Sequence, residues 1–562
     1  MRSKPASSSK GMSAGTTLGS NSSHYRRLLL YQIPILIGSL WSLSTHEIWP
    51  VLPLGFGVSL LLLVLDRYSF GERAIVSTAV LVGIWYRLTV VVATPSMIGY
   101  DPDSHAIAII RINETGSLSA ISELIYQNLP LFFTFHSATT TLTGVSSDIS
   151  LNFVTALLYA LIPVLLVATI LGRISDTETV KLGSILASGC GIFLVYSTLP
   201  ITQGFMTLLW FVFLGTLFDL DNDGIFGIAA VLLVLLPVAH KLGGLLPVVM
   251  LSSVTVFVSF QSWRRNEFAI PTRYVVLTGL AVIMLLIQSF VLTDFGTTIL
   301  TRATQTATNT ATPVGGLTDQ STTALVEPTG GILTILYEHI SWLTLISMAG
   351  FSGMWLLYAH TDSDTAVILP VALVSFAFVL LAVTSAFSLA GIRARILGAP
   401  IFVVLTAIAV SKLVGNERRP PLGTFVVIVL LATQLGAAGA TPDHPTENVK
   451  YLSEPEIDAR DHVNRYVDET SYAPSYLSQE TTNYTRPGAT YITGDRATDE
   501  GWAKLDVYLL FDQLPEEGCI VWRKDQRYLR FTTLFRLVGD PTPIFAENRS
   551  RIYENRDVVV YC

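Results

Sequence analysis

Residues 74–110 read AIVSTAVLVGIWYRLTVVVATPSMIGYDPDSHAIAII, a long apolar run followed by an acidic segment. The part up to Thr94 is apolar and long enough to cross a bilayer, which takes about 20 residues. Asp101, Asp103 and His105 follow at once, and another apolar run begins near residue 149. The stretch therefore predicts a membrane helix that leaves the bilayer into an acidic segment.

The composition extends this prediction to the whole chain. Of its 562 residues, 51% are hydrophobic and 14% are charged, and the mean hydropathy is +0.53. Soluble proteins carry about 25% charged residues. Transmembrane β-barrels alternate apolar and polar residues, and these segments do not. The chain is therefore predicted to be a polytopic α-helical membrane protein, and its net charge of −7 gives no support for a nucleic-acid partner.

About 13 membrane spans are predicted from the apolar runs. They lie near residues 28–45, 48–65, 73–94, 149–171, 180–200, 203–218, 225–239, 243–260, 273–293, 332–358, 365–386, 396–412 and 423–440. If the N-terminus is cytoplasmic, nearly every cluster of positive charge falls on the cytoplasmic side, as membrane proteins prefer. These clusters contain Arg26 and Arg27, Arg67 and Arg73, Arg173 and Lys181, Arg264, Arg265 and Arg273, and Lys412, Arg418 and Arg419.

This orientation divides the chain into three parts. Residues 1–27 are predicted to be a disordered cytoplasmic N-terminus, and residues 28–440 a transmembrane domain with large outer loops at 96–148 and 294–331. Residues 441–562 are polar with short β-rich runs, which predicts a small extracytoplasmic α/β domain. Cys519 and Cys562 lie there and can pair if the domain is extracytoplasmic, provided that the geometry allows it.

The first outer loop carries the residues best suited to chemistry. Asp103 is placed as the N-cap of a helix that Gly116 ends, and residues 117–127 predict a second short helix. Pro102 favours an extended Asp101, and in extended chain the side chains of Asp101 and Asp103 point the same way. The two carboxylates are then either ligands for Mg²⁺ or Mn²⁺, or a general base beside a structural residue, or only a turn residue and a cap.

The segment GYDPDSHAIAIIRINETGSL, with NLPLFFTF after it, resembles the first extracytoplasmic loop of GT-C glycosyltransferases. These membrane enzymes use sugars linked to polyprenyl or dolichyl phosphate. Their loop has an acidic motif soon after a membrane exit, then surface helices and a Pro-Leu-aromatic re-entry. The chain departs from the family in one respect, because about two further spans precede this loop.

The resemblance implies that Asp101 or Asp103 is the catalytic base. It also suggests that Arg393 and Arg395 bind the lipid phosphate, since arginine suits bidentate phosphate binding; snorkelling towards lipid headgroups is the alternative. His240 and Lys241, between two spans on the predicted outer side, form a second phosphate site or an ordinary loop end. Candidate donor or acceptor contacts are His105, Tyr337 and Glu338.

The resemblance thus implies an inverting glycosyltransferase of the cell membrane, of hexosyl- or mannosyltransferase type. It would move a sugar from a polyprenyl or dolichyl phosphate carrier to a glycan or protein acceptor on the outer face, in cell-surface glycosylation of prokaryotic or archaeal type. No cofactor is certain, although the carboxylates suit Mg²⁺ or Mn²⁺. The alternative is a secondary transporter or a flippase for lipid-linked sugars, which typically has ionisable groups near the bilayer midplane on interrupted helices.

Overall fold

The structure is a computed structural model of the full chain. It describes residues 26–99, 102–121, 128–264, 271–293, 326–328, 332–359, 365–384, 388–414, 420–437, 441–443, 450–474, 502–505, 508–509, 514–526, 528–530, 534–537 and 539–562. The predicted disordered segment 1–27 lies almost entirely outside these ranges.

The described residues up to 437 form helices, apart from one short strand at Val326–Pro328. The helices are α1 Ile33–Thr45, α2 Val51–Leu65, α3 Glu72–Ala93, α4 Pro102–Thr115, α5 Leu131–Thr143, α6 Ser147–Ile174, α7 Thr177–Ser188, α8 Gly191–Ser197, α9 Thr202–Thr216, α10 Asp223–Ala239, α11 Leu245–Arg264, α12 Thr272–Ile287, α13 Ile332–Ala359, α14 Thr365–Thr384, α15 Ser388–Val414 and α16 Pro420–Leu435. A π-helical turn, Gln288–Leu292, continues α12. Each predicted span coincides with one of these helices, or with a consecutive pair for 180–200.

The described residues contain 6 helices that are long and apolar enough to cross a membrane, or up to 7 if the bent pair α7–α8 is one span. Shorter apolar helices are found at Val51–Leu65, Thr202–Thr216, Asp223–Ala239, Ile340–Trp355, Val367–Ala377 and Gly423–Leu435. The chain is a helical membrane protein. The count of about 13 spans and the orientation of the termini stay predictions.

The helices are apolar both inside and outside the bundle, as expected where lipid replaces water. One continuous core runs through them, and it includes Tyr86, Phe193 and Trp210. Large side chains such as Phe290 and Met354 face outward, 62% and 73% exposed. A helix that is hydrophobic all round is typical of a membrane span.

Ion pairs join helix ends on the predicted cytoplasmic side. Arg173 contacts Asp219 at 2.6 Å, and Arg273 contacts Asp223 at 2.7 Å. Arg273 also donates to the carbonyl of Leu220 at 2.6 Å, and Asn222 caps α10 at the N–H of Gly224. The Asp219–Asp223 turn is therefore held by arginines of two other helices.

The described residues after 450 form a mixed sheet and two helices, α17 Glu454–Tyr466 and α18 Thr542–Asn548. The five-stranded sheet has the order β3-β2-β4-β8-β7, from strands β2 Ser471–Ala473, β3 Trp502–Lys504, β4 Cys519–Arg523, β7 Arg551–Glu554 and β8 Val558–Tyr561. Strand β2 runs parallel to β3 and β4, and the other pairs are antiparallel. Helix α17 packs on one face of this sheet, over a core that includes Val463, Val521 and Val560.

Two further links hold this region together. A disulfide joins Cys519, at the start of β4, to Cys562 after β8. Strand β1 Val326–Pro328, from the second large loop, pairs with β6 Leu534–Leu537, which also pairs with β5 Tyr528–Arg530. The second loop is therefore attached to the C-terminal region by backbone pairing. The remainder of that loop, which the sequence places at 294–331, lies outside the described residues.

Candidate active site

The exit of α3 is held in one conformation immediately before the acidic motif. Gly99 has a φ of +111°, and a Cβ placed there would lie 2.7 Å from Leu199 Cδ2. Only glycine adopts such a φ without strain, and only glycine leaves room for Leu199. The N–H of Gly99 donates to the carbonyl of Lys450 at 2.9 Å, and Ser96 Oγ accepts from the N–H of Leu452 at 2.7 Å. The backbone that leads to Asp101 is therefore fixed by residues of the C-terminal part of the chain.

The acidic motif itself is described only in part. Asp101 and the side chain of Asp103 lie outside the described residues, so the predicted convergence of their carboxylates stays a prediction. Helix α4 begins at Pro102, which places Asp103 in its first turn, and the prediction of Asp103 as N-cap was wrong. Proline suits the first helical position because its fixed φ is already helical and its missing N–H has no partner to lose there. Because residues 102 and 103 are helical, the rule that alternate side chains of an extended segment point the same way does not apply to Asp101 and Asp103.

Helix α4 ends as its sequence predicts. It stops at Thr115, and Gly116 follows with a φ of +64°. Its apolar face, with Ile109 and Ile112, packs with Phe132 and Phe133 of α5. Only a 3₁₀ turn, Leu118–Ile121, is described where the second short helix was expected, and residues 122–127 lie outside the description.

His105 anchors α4 to the helices beneath it. It is 4% exposed, and its Nδ1 lies 3.4 Å from the carbonyl oxygen of Pro200. Its ring makes edge contacts with Phe132 and Phe133, both with centroids 5.3 Å away. A histidine this deeply enclosed holds the helix in place, and the prediction that it touches donor or acceptor directly gains no support from this position.

His136 of α5 continues the same cluster. Its Nδ1 lies 3.0 Å from Ser150 Oγ, and its ring packs on Phe132 at 4.8 Å. Burial, with a smaller contribution from His105, lowers the pKa of His136 to about 3. His136 is therefore neutral near pH 7, and it joins α5 to α6 beside the loop that carries the acidic motif.

The turn with His240 and Lys241 is built by the residues around it. His240 is 1% exposed, and its Nδ1 accepts from the N–H of Leu242 at 3.3 Å. Gln288 donates to the carbonyls of Pro237 and His240, at 2.7 and 2.9 Å, and accepts from the N–H of Gly244 at 3.0 Å. One imidazole nitrogen of His240 is thus engaged by backbone, while Lys241 is half-buried. The phosphate-binding role of the two residues stays a prediction.

The candidate arginines lie on a helix and not in a loop before one. Helix α15 runs without interruption from Ser388 to Val414, so Arg393 and Arg395 occupy its second and third turns. Arg395 is half-buried, and the side chain of Arg393 lies outside the described residues. Two residues after Arg395, the carbonyl of Leu397 accepts from the indole N–H of Trp210 at 3.1 Å. This hydrogen bond joins α9 to this part of α15.

Tyr337 and Glu338 fall in the second turn of α13, which begins at Ile332. Their side chains lie outside the described residues, so their proposed contacts are untested. Among the side chains that the structure does describe, no group of three or more His, Cys, Asp or Glu residues could hold a metal ion. Because Asp101 and the Asp103 side chain are not among them, the predicted Mg²⁺ or Mn²⁺ site is untested as well.

Two buried arginines were not identified from the sequence. Arg87 of α3 is fully buried beside the bend of 47° between α7 and α8, and donates to the carbonyls of Gly83, at 3.0 Å, and Ser188, at 3.4 Å. Arg523 of β4 is buried against Glu456. The apolar run around Arg87 could have drawn attention to it, since a charge inside a span is rare. Arg523 carries no such local signal.

Comparison with known proteins gives solved structures only; no family model and no curated protein matches. The Archaeoglobus fulgidus oligosaccharyltransferase in the apo form is similar, with 12% identity and a TM-score of 0.47, over 73% of this chain and 63% of that one. ArnT from Cupriavidus metallidurans bound to undecaprenyl phosphate has 11% identity and a TM-score of 0.45, over 88% and 98%. The mycobacterial arabinofuranosyltransferase AftD has 13% identity and a TM-score of 0.39, over 88% and 40%.

These structural neighbours are GT-C membrane glycosyltransferases, the class that the first-loop motif resembles. This chain spans 63% of the length of the apo oligosaccharyltransferase.

Proposed function

We propose that this chain is an inverting glycosyltransferase that takes a sugar from a polyprenyl or dolichyl phosphate carrier. Its acceptor would be a glycan or a protein on the outer face of the membrane, and its sugar a hexose such as mannose. The observation that carries the proposal is that the Asp101–Asp103 segment is fixed on both sides. Gly99 is hydrogen-bonded to Lys450 before it, and His105 is buried against Pro200 and two phenylalanines after it.

The chemistry of such a transfer suits this arrangement. The acceptor oxygen bonds to the anomeric carbon, and the bond from that carbon to the phosphate oxygen breaks. Phosphate departs with the electron pair, and a carboxylate accepts the hydroxyl proton of the acceptor. A lipid phosphate is already a good leaving group, so one base and a few cations suffice. Asp101 or Asp103 would be the base, and Arg393, Arg395, His240 and Lys241 would stabilise the phosphate.

The fixed backbone on either side of the acidic motif would hold the catalytic carboxylate in position. Holding a catalytic group in place can lower the activation free energy, by on the order of 7–11 kcal/mol in favourable cases. A base on a mobile loop would lose most of that advantage. The hydrogen bonds at Ser96 and Gly99 fix the backbone before the motif, and the buried imidazole of His105 fixes helix α4 after it.

The disulfide supports an extracytoplasmic C-terminal domain. Disulfides persist in oxidising compartments and are rare in the cytoplasm. Cys519 and Cys562 are joined, whereas Cys190 is a free, buried cysteine within the helical part. The acceptor would then approach on the side where this domain lies.

The transporter alternative gains one specific observation. The bent pair α7–α8 is an interrupted helix, and Arg87 lies buried at the interruption, as transporters often arrange their substrate sites. However, Arg87 is 0% exposed, and its guanidinium donates to backbone carbonyls of its own helix and of α7. One of these contacts, to Ser188, satisfies a carbonyl at the helix break, so the position of Arg87 gives the transporter no support.

One reconstitution separates the two functions. The protein would be placed in lipid vesicles with a polyprenyl phosphate donor whose sugar and lipid carry different labels. A glycosyltransferase releases lipid phosphate only when an acceptor is present, and the sugar label moves to that acceptor. Movement of intact donor between leaflets without cleavage would instead support the flippase. In that case Asp101→Asn and Asp103→Asn would leave the movement unchanged.

A further inference from the structure

The C-terminal domain is joined to the exit of α3 by a short segment, residues 450–453, which we name the junction. Its Lys450 carbonyl accepts from the N–H of Gly99 at 2.9 Å, and its Leu452 N–H donates to Ser96 Oγ at 2.7 Å. Leu452 is 356 residues from Ser96 along the chain. Nearby, Asp443 Oδ2 accepts from the N–H groups of Ile48 and Trp49, at 2.7 and 3.0 Å.

A buried ion pair holds the junction from the domain side. Arg523 donates through Nη2 to the carbonyl of Tyr451 at 2.8 Å and to Glu456 Oε2 at 2.9 Å, and its Nε contacts the other oxygen of Glu456. The two side chains are only 2% and 1% exposed. Glu456 also accepts from the N–H of Ser453 at 2.7 Å, as the third residue of a capping box at the start of α17. The ion pair therefore contacts the junction at Tyr451, through Arg523, and at Ser453, through Glu456.

We propose that Arg523 and Glu456 are positioning residues for transfer, acting through the junction on the acidic motif. The inference rests on the proposed function. Arg523 fixes the carbonyl of Tyr451, the neighbours Lys450 and Leu452 fix Gly99 and Ser96, and Gly99 precedes Asp101 by two residues. The junction therefore holds the backbone just before the acidic motif, and through this backbone the pair would act on the carboxylate.

The placement of charge explains why an ion pair suits this task. A buried pair is rarely the most stable choice, because both groups lose water, but removing one partner strands the other. Its geometry is therefore sharply defined, and the guanidinium reaches the backbone carbonyl and the carboxylate at once. An apolar contact has no preferred direction, whereas the guanidinium donates in fixed directions to the carbonyl and to the carboxylate.

The test compares Arg523→Gln with Arg551→Gln, a control on the same sheet whose partner Glu554 lies on the surface. With the donor varied, we expect kcat of the Arg523 variant to fall roughly 10- to 100-fold, the size of effect expected for a misplacement of about 1 Å. We expect KM for the donor to change less than about twofold, because the donor phosphate is held elsewhere. Arg523→Lys, which keeps the charge and loses the fork, should recover part of kcat, and the control should match wild type.

A double-mutant cycle assigns the effect to the junction. Ser96→Ala removes the hydrogen bond from Leu452, and if both changes act along one path, the double variant is little worse than the worse single one. Additive losses, or a folded Arg523→Gln protein with wild-type kcat, would overturn the proposal. If Arg523→Gln does not fold, Ser96→Ala alone must show the kcat loss.

Amide hydrogen exchange separates this inference from the proposed function. The peptide that contains Gly99 should exchange faster in Arg523→Gln than in wild type or Arg551→Gln, because the Lys450 carbonyl that accepts from the Gly99 N–H is then held less firmly. This result is expected even if wild type transfers no sugar from any donor offered. Unchanged exchange at Gly99 would contradict the positioning role, whatever the activity.

Discussion

Replacing Gly99 by alanine tests the fixed exit from α3. The new Cβ meets two separate costs. A φ of +111° is strained for an L-residue, by about 1–3 kcal/mol, and a Cβ only 2.7 Å from Leu199 Cδ2 forces a further adjustment. Because Leu199 is half-buried and can move, we take the lower end of the packing cost, about 1 kcal/mol. Gly99→Ala should therefore lower the free energy of unfolding by about 2–4 kcal/mol.

The two costs can be separated. Gly116 has a φ of +64°, and a Cβ placed there would have no other atom within 4 Å, so Gly116→Ala meets only the backbone cost of about 1–2 kcal/mol. Adding Leu199→Ala to Gly99→Ala should relieve the contact but not the strain. The measurement is denaturant unfolding in mild detergent, with Leu199→Ala alone as reference. If the free energy of unfolding of Gly99→Ala lies within about 0.5 kcal/mol of that of wild type, the backbone at Gly99 is not held as described.

Three further predictions address other parts of the molecule. Thiol labelling after denaturation should modify Cys190 alone without reductant and also Cys519 and Cys562 with it; three labelled thiols in an unreduced sample of purified protein would contradict the pairing. The pKa of His136 is lowered to about 3, against about 6.5 when unfolded, so the unfolded state binds the extra proton between these values. Stability should fall as the pH drops below about 6.5, by on the order of 1 kcal/mol per pH unit, and His136→Asn should remove that dependence; equal pH profiles of the two proteins would contradict it. Gln288→Leu, which removes three hydrogen bonds at the His240 turn, should cost about 1–3 kcal/mol in denaturant unfolding, whereas an unchanged midpoint would show that the turn stands without it.

Much of the helical part could be predicted because its signals are local. An apolar run of the right length is itself the physical reason for a span, so the helices fall where the runs lie. Gly116 ends α4 because the last turn needs a left-handed residue, and that requirement is visible in the sequence. Helix α4 starts at Pro102, two residues before the start predicted from Asp103 as N-cap, because proline favours the first helical position.

The contacts that fix the candidate site could not be predicted from the sequence. Asp443 caps the backbone of Ile48 from 395 residues away, and nothing in either segment indicates the other. His105 looks like a surface residue beside two aspartates, yet its position on α4 turns it towards Pro200 and the phenylalanines. Such contacts depend on how elements far apart in the sequence pack together, and hydrophobic periodicity gives no information on that packing.

The proposed transfer depends most directly on the carboxylates of the first loop. Transfer from a polyprenyl phosphate sugar to an acceptor glycan should be measured for wild type, Asp101→Asn and Asp103→Asn, with and without EDTA. Asp148→Asn, in the first turn of α6 at the end of the same loop, is the matched control. We expect at least one motif variant to lose about 10²-fold or more in rate while remaining folded, and the control to stay active. Two folded motif variants that transfer sugar as fast as wild type would contradict the central claim.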